Sequence, residues 1–222
     1  MTGKRPHFDA IFIALKKQMA PYGTPIVSKK KQGIPETPFV TLISCLLSLR
    51  TKDEVTAEAS RRLLTKYHTP EKIVQLSERQ IETMIYPVGF YKTKARRIKA
   101  ISKTLLEKYQ GNVPDTFEEL LTLKGVGRKT ANIVMVYGHR KHGYLPIDTH
   151  CHRIPNRLGW ITTKTPEETE QALLKILPAE YWDDFNDLFV RFGQKICLPI
   201  SPYCSTCSLQ KYCKKIGVLK SR

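Results

Sequence analysis

Apolar residues recur along this chain with the period of a helix and almost nowhere with that of a strand. In FVTLISCLLSL, Phe39, Leu42, Ile43, Leu46 and Leu47 fall at i, i+3, i+4, i+7 and i+8, which is one face of a helix. Helix starts are marked by a short polar side chain with Glu or Gln three residues on. Thr51/Glu54, Ser77/Gln80 and Thr165/Glu168 fit that pattern, and Asp115/Glu118 is a close variant. Proline follows the cap in TPEKI and TPEET, where the first helical turn tolerates it. No segment alternates with period two for long, and no internal repeat is found. The pattern predicts an all-α fold with short connections, continuous in helices from about residue 30 to 141. A break is expected near 142, ahead of YLPIDTHCHRI.

Charge adds what patterning does not. The 37 Lys and Arg outnumber the 20 Asp and Glu, for a net charge of +17, which points to a polyanionic partner and above all to nucleic acid. A membrane partner is not expected. No stretch approaches the roughly 18 apolar residues that span a bilayer, and MTGKRPHFDA lacks a secretory apolar region. An intracellular location follows as the expectation. Four of the six cysteines lie between Cys197 and Cys213, and in an intracellular chain such clustering reads as a metal or cluster site. Cys45, inside LISCLLSL, reads as a small core residue; Cys151 has no role legible in the sequence.

LTLKGVGRKTANIV reads as helix, hairpin, helix, with PDTFEELLTL before the KGVG turn and RKTANIVMVYG after it. Gly125 and Gly127 stand where backbone bends and approaches a partner closely. Amides of the turn and of the second helix's start form a seat for phosphate. The stretch is neither a P-loop, since Arg128 replaces the glycine before Lys-Thr, nor a dinucleotide fingerprint, which needs a third glycine and a preceding strand. Lys129 sits in a first helical turn beside Arg128, where the helix dipole disfavours an ammonium. Its local context fits two roles, a phosphate contact and a nucleophilic amine.

Asp148 follows LPI and precedes His150 and His152. It reads both as an N-cap for a helix starting at Thr149 and as a carboxylate that stabilises cationic character or takes a proton. The cysteines run C-x6-C-x2-C-x5-C through Cys197, Cys204, Cys207 and Cys213. Four thiolates in one 17-residue loop suit a single cubane iron–sulfur cluster; structural zinc, the alternative, more usually takes two separated pairs.

With these pieces in place, residues 30 to 215 closely resemble the endonuclease III family of DNA glycosylases, within the helix-hairpin-helix superfamily. LKGVGRKTANIV resembles the family's hairpin, IDTH its catalytic aspartate segment, and the cysteine spacing equals its cluster loop. The resemblance implies a two-lobed helix-hairpin-helix glycosylase fold. Its six-helix barrel lobe would be residues 31–141, and its aspartate and cluster lobe residues 1–30 with 142–222. It implies Lys129 and Asp148 as the catalytic pair and one [4Fe-4S] cluster on Cys197, Cys204, Cys207 and Cys213. The partner implied is double-stranded damaged DNA, with oxidised pyrimidines as substrates and the protein acting as a monomer. DNA contacts fall to Gly125, Val126, Gly127, Arg128 and Thr130 of the hairpin and to His150. VGFYKTKARRI resembles the second DNA-facing loop, with Phe90 as an apolar wedge and Lys92 and Lys94 on the backbone. From Gly89 to Tyr109 there are seven Lys or Arg against one Glu. In LLSLRTKDE, Leu49 and Arg50 stand where many members carry a gap-filling glutamine, and Arg50 joins the DNA-binding set.

Two other functions compete. A monofunctional mismatch glycosylase would share the fold, but those relatives carry Ser or Tyr at the lysine position. A non-enzymatic DNA-binding module with a structural metal would explain charge, hairpin and cysteines, and would leave the pairing of Lys129 with Asp148 a coincidence.

Overall fold

A computed structural model of the chain describes residues 6–22 and 33–222, and every regular element among them is helical. The described residues divide into two compact units, 33–144 and 6–22 with 145–222. The passage between them at Tyr144 and Leu145 lies beyond the break expected near 142, and the expected boundary at 30/31 lies outside the described residues.

The first unit is built around α2 (Pro38–Ser48). Thr37 starts it by accepting the amide of Val40 at 3.2 Å, and Pro38 occupies the first helical position, where no amide is needed. Leu42, Ile43, Leu46 and Leu47 are fully buried where α2 packs on α3 (Asp53–Leu64), α6 (Tyr91–Tyr109) and residues 128–138, in one core that includes Leu63, Ile98, Leu105 and, from α5 (Glu78–Ile85), Ile81. Truncating one such leucine to alanine costs about 2–5 kcal/mol. Shorter helices complete the unit: α4 (Pro70–Val74), α7 (Phe117–Thr122) and α8 (Arg128–Ile133). RKTANIVMVYG is not one α-helix as expected, because α8 widens into a π-helical turn over Val134–Gly138.

The second unit packs α1 (Phe8–Met19) with α9 (Thr149–Leu158), α10 (Pro166–Ile176) and α11 (Trp182–Lys195). Its core is aromatic. Phe185 stacks on Phe189 at 4.2 Å, and Trp160 meets Phe8 edge-on at 5.0 Å.

The helix starts divide into two groups. Ser77 and Gln80 form the full reciprocal box. Thr165 takes the amide of Glu168 at 3.2 Å, while the Glu168 carboxylate turns to the amide of Lys164. The other two caps are elsewhere. Thr116, not Asp115, accepts from the amide of Glu119, and Asp115 instead pairs with Lys141 at 2.8 Å. Lys52 stands before α3 without a side-chain cap, because the hydroxyl of Thr51 is held by partners distant in sequence.

Many of the basic side chains serve the helices themselves. Arg62 donates to the carbonyls of Met84, at 2.7 Å, and Tyr86 at the end of α5. Lys99 donates to Leu76 just past α4, and Arg191 to Met19 at the end of α1. Carbonyls at a helix C-terminus lack intrahelical donors and carry the negative end of the dipole, so cations settle there. No helix among the described residues is long and apolar enough to cross a membrane.

Candidate nucleic-acid interface and active site

The hairpin begins where α7 ends. The amide of Val126 donates to the carbonyl of Leu123 at 2.9 Å and closes the turn. Gly125 has φ +86°, a backbone that favours glycine, and a Cβ there would make the Arg97 side chain move. Gly127 is different. At φ −100° any residue fits, and a Cβ would meet no described atom within 4 Å. Gly127 is the N-cap of α8, where glycine is favoured over alanine, and its open side leaves the backbone accessible.

Gly127 and Arg128 lie on the outside of the turn, and the Arg128 guanidinium sits 4.8 Å over the Phe117 ring. Lys129 is half-buried in the first turn of α8. Two expected contact residues point inward. Val126 is buried and its amide is used in the turn. Thr130 is 3% exposed, its hydroxyl accepting from the thiol of Cys45 at 3.6 Å, so neither side chain is placed to meet DNA. Cys45 is the core residue expected.

A second surface of this unit is formed where the turn after α2 meets the start of α6. Arg50 and Phe90 are exposed and both have left-handed backbones, φ 52° and 58°. Such conformations cost of order 1–3 kcal/mol in a bulky non-glycine residue and concentrate at functional sites. The Arg50 guanidinium lies 5.7 Å from the Phe90 ring centre. Lys92 is exposed beside them. Lys94 is not a backbone-tracking residue. It is 5% exposed, and its ammonium donates to Leu47 O at 2.8 Å, Leu49 O at 2.6 Å and Thr51 Oγ1 at 3.1 Å. An ammonium has three donors, and these bonds use all of them. Burial, with Arg97 adding to it, pulls its pKa down to about 8.

In the other unit, Asp148 is the N-cap of α9, as its sequence context predicted. Its Oδ1 accepts the amides of His150 and Cys151, both at 2.8 Å. Arg153, one turn on, donates to His150 Nδ1 at 3.0 Å. Because a guanidinium has no acceptor, that nitrogen carries the lone pair and the ring proton is on Nε2. Gly193 of α11 lies directly against this imidazole, and a Cβ there would overlap Nδ1.

Cys197, Cys204, Cys207 and Cys213 line one cavity, which also takes in Ile154, Leu158, Phe192 and Val218. Burial, together with the neighbouring cysteine sulfurs, pushes the Cys207 thiol up to about 11 and raises Cys213 as well. Amides nonetheless point at the sulfurs, as with Lys215 N donating to Cys213 Sγ at 3.3 Å. Such an enclosed set of thiols with N–H donors, unfavourable as free thiolates, matches what an iron–sulfur centre needs from its surroundings. Among the described residues no group of three or more His, Cys, Asp or Glu is placed to hold one metal ion.

Sequence reasoning missed Arg157. It is buried on α9 and donates to Cys197 Sγ at 3.5 Å and to the carbonyls of Leu198 and Pro199, both at 2.6 Å. Its own carbonyl accepts from Ile216 N at 3.1 Å, past the last cysteine. One residue thus braces the loop at both ends. The available signal was a second arginine four residues after Arg153 on an amphipathic helix.

Residues 43–179 match the HhH-GPD superfamily of base excision DNA repair proteins. The chain is 49% identical to Endonuclease III of Thermotoga maritima over 190 residues, 85% of this chain and 89% of that one. It is 44% identical to Endonuclease III homolog 2, chloroplastic, of Arabidopsis thaliana, covering 80% of this chain and 48% of that longer protein. A solved trapped endonuclease III–DNA covalent intermediate superimposes with a TM-score of 0.77 at 31% identity, covering 93% of this chain and 95% of the other. The chain belongs to the endonuclease III family within that superfamily.

Proposed function

We propose that the protein is a bifunctional DNA glycosylase and abasic-site lyase of base excision repair, acting on oxidised pyrimidines in double-stranded DNA. Family membership over most of the chain, with a lysine in the hairpin helix and an aspartate capping α9, carries this reading. The damaged base is flipped out of the stack. Lys129 Nζ attacks C1′ of the deoxyribose and the base leaves, with Asp148 assisting in proton transfer and stabilising cationic character. Since Oδ1 is committed to the helix amides, that work is assigned to Oδ2. The lysine–sugar Schiff base acidifies the C2′ proton, and its loss expels the 3′ phosphate by β-elimination.

Residues 31–141 would supply the hairpin, and 1–30 with 142–222 the aspartate and the cysteines. The backbone of the hairpin at Gly125, Gly127 and Arg128 holds phosphate without reading sequence, and the open space at the Gly127 Cβ supports that role. Arg50, Phe90 and Lys92 meet the duplex as a second contact, and His150 contributes from the other unit. One [4Fe-4S] cluster is held by Cys197, Cys204, Cys207 and Cys213 and shapes the loop structurally; the proposed chemistry takes no step through it.

Borohydride trapping tests the lyase directly. Duplex DNA with thymine glycol or an abasic site should give a covalent adduct with the wild type and none with Lys129→Gln. An undiminished adduct with Lys129→Gln would remove the lysine from its role. Protein with a bound cluster should absorb near about 400 nm; a colourless, zinc-containing protein would remove the cofactor assignment.

A further inference from the structure

Three bonds of one buried ammonium tie the turn after α2 to the first turn of α6. Thr51 Oγ1 adds a further tie by accepting the amide of Gly89 at 3.2 Å. Gly89 fits tightly against this turn, since a Cβ there would come within 2.5 Å of Arg50 O. Arg50 and Phe90 are the residues flanked by these ties, and both have backbone angles that their own side chains disfavour. An apolar side chain at position 94 would continue the buried stripe of Ala95, Ile98, Ile101 and Leu105 and would avoid burying a charge. An ammonium instead fixes three acceptors on one short turn.

We propose that Lys94 is a positioning residue for DNA engagement, locking the Leu47–Thr51 turn to the start of α6 so that Arg50 and Phe90 are presented as one preformed pair. The proposal rests on the reading that Phe90 enters the base stack. Holding the pair in place before binding removes an ordering cost from the step that opens the duplex. Lys94 itself touches no DNA, so its loss should leave charge-driven binding intact and impair the step after it.

The test uses the full chain in a Lys129→Gln background, so that DNA is bound without being consumed. The probe is a duplex with 2-aminopurine beside a tetrahydrofuran abasic site, whose fluorescence rises as the stack is opened. Lys94→Met should abolish most of that rise, as Phe90→Ala should, while affinity for undamaged duplex stays within about twofold, because phosphate contacts dominate it. In the otherwise native enzyme, single-turnover excision by Lys94→Met should fall about 10- to 100-fold, the scale of a misplacement near 1 Å, with KM little changed. Thr51→Val removes two of the ties, those from Lys94 and from the Gly89 amide, and leaves the ammonium its two carbonyl acceptors, so it should lose part of the rise even if Lys94→Met does not fold. A full rise in Lys94→Met, or in Thr51→Val if that variant alone folds, with Phe90→Ala impaired, overturns the positioning role. A full rise in Phe90→Ala itself would instead refute the reading of Phe90, and the proposal with it.

Discussion

Replacing Lys94 by methionine keeps the apolar stem and deletes the charge, which makes the energetic role of a buried lysine measurable. Its folded pKa of about 8, against an ordinary 10.5, means that the fold penalises the charged amine. That penalty is complete below about pH 8 and is relieved as pH rises from 8 to 10.5, where the folded amine is neutral and the unfolded one still charged. Stability of the wild type relative to Lys94→Met should therefore rise with pH. Between pH 7 and 9.5 the two pKa values give a gain of about 2 kcal/mol, out of a full shift worth about 3 kcal/mol. Methionine leaves the Leu47 and Leu49 carbonyls without this donor, a loss of about 1 kcal/mol each that is independent of pH. Near pH 7 the two effects oppose, and the proteins should differ by no more than about 1 kcal/mol. Urea unfolding at matched pH, followed by circular dichroism, measures this, and subtracting the variant cancels the titrations that both proteins share. With a slope of about 2 kcal/mol/M, the wild-type midpoint should gain about 1 M on the variant across the range. A gap that stays constant, or that moves the other way with slopes unchanged, would refute the reasoning.

The two hairpin glycines should separate fold from binding. Gly125→Ala strains a positive φ and displaces Arg97, lowering thermal stability by about 1–2 kcal/mol. Gly127→Ala, at the N-cap of α8, should lose no more than about 1 kcal/mol and yet lose affinity for duplex DNA in a filter-binding titration; equal affinity would remove the close-approach argument. Asp148→Asn keeps an N-cap acceptor for His150 and Cys151, so its melting temperature should hold while base release falls, whereas Asp148→Ala should also lose about 1 kcal/mol of stability. A destabilised Asp148→Asn with normal excision would invert that assignment.

The helical stripe of α2 was legible because a buried helix leaves its period in the sequence, and Ser77/Gln80 because both ends of that cap are local. Thr51 and Asp115 were misread for one shared reason. Each has a partner far along the chain, Gly89 and Lys94 in one case and Lys141 in the other, and a tertiary partner takes a side chain away from its local cap. By its charge Lys94 reads as a DNA contact, although it sits on the α6 face that also buries Ala95 and Ile98. Thr130 and Val126 follow the same lesson inside the hairpin. Motif membership says that a segment meets a ligand, but the helix period decides which of its side chains face inward.

The cations spent on helix carbonyls also bear on how the protein finds its target. An arginine held against backbone oxygens keeps its charge, so Arg62 and Arg157 add to the long-range potential that draws in a polyanion, and Lys94 joins them below about pH 8. None of them need shed a condensed counterion from a phosphate, because their donors are already occupied. The net charge of +17 thus governs how fast encounter occurs at low salt, while the slope of affinity against salt reports only the smaller set of cations that reach the strand.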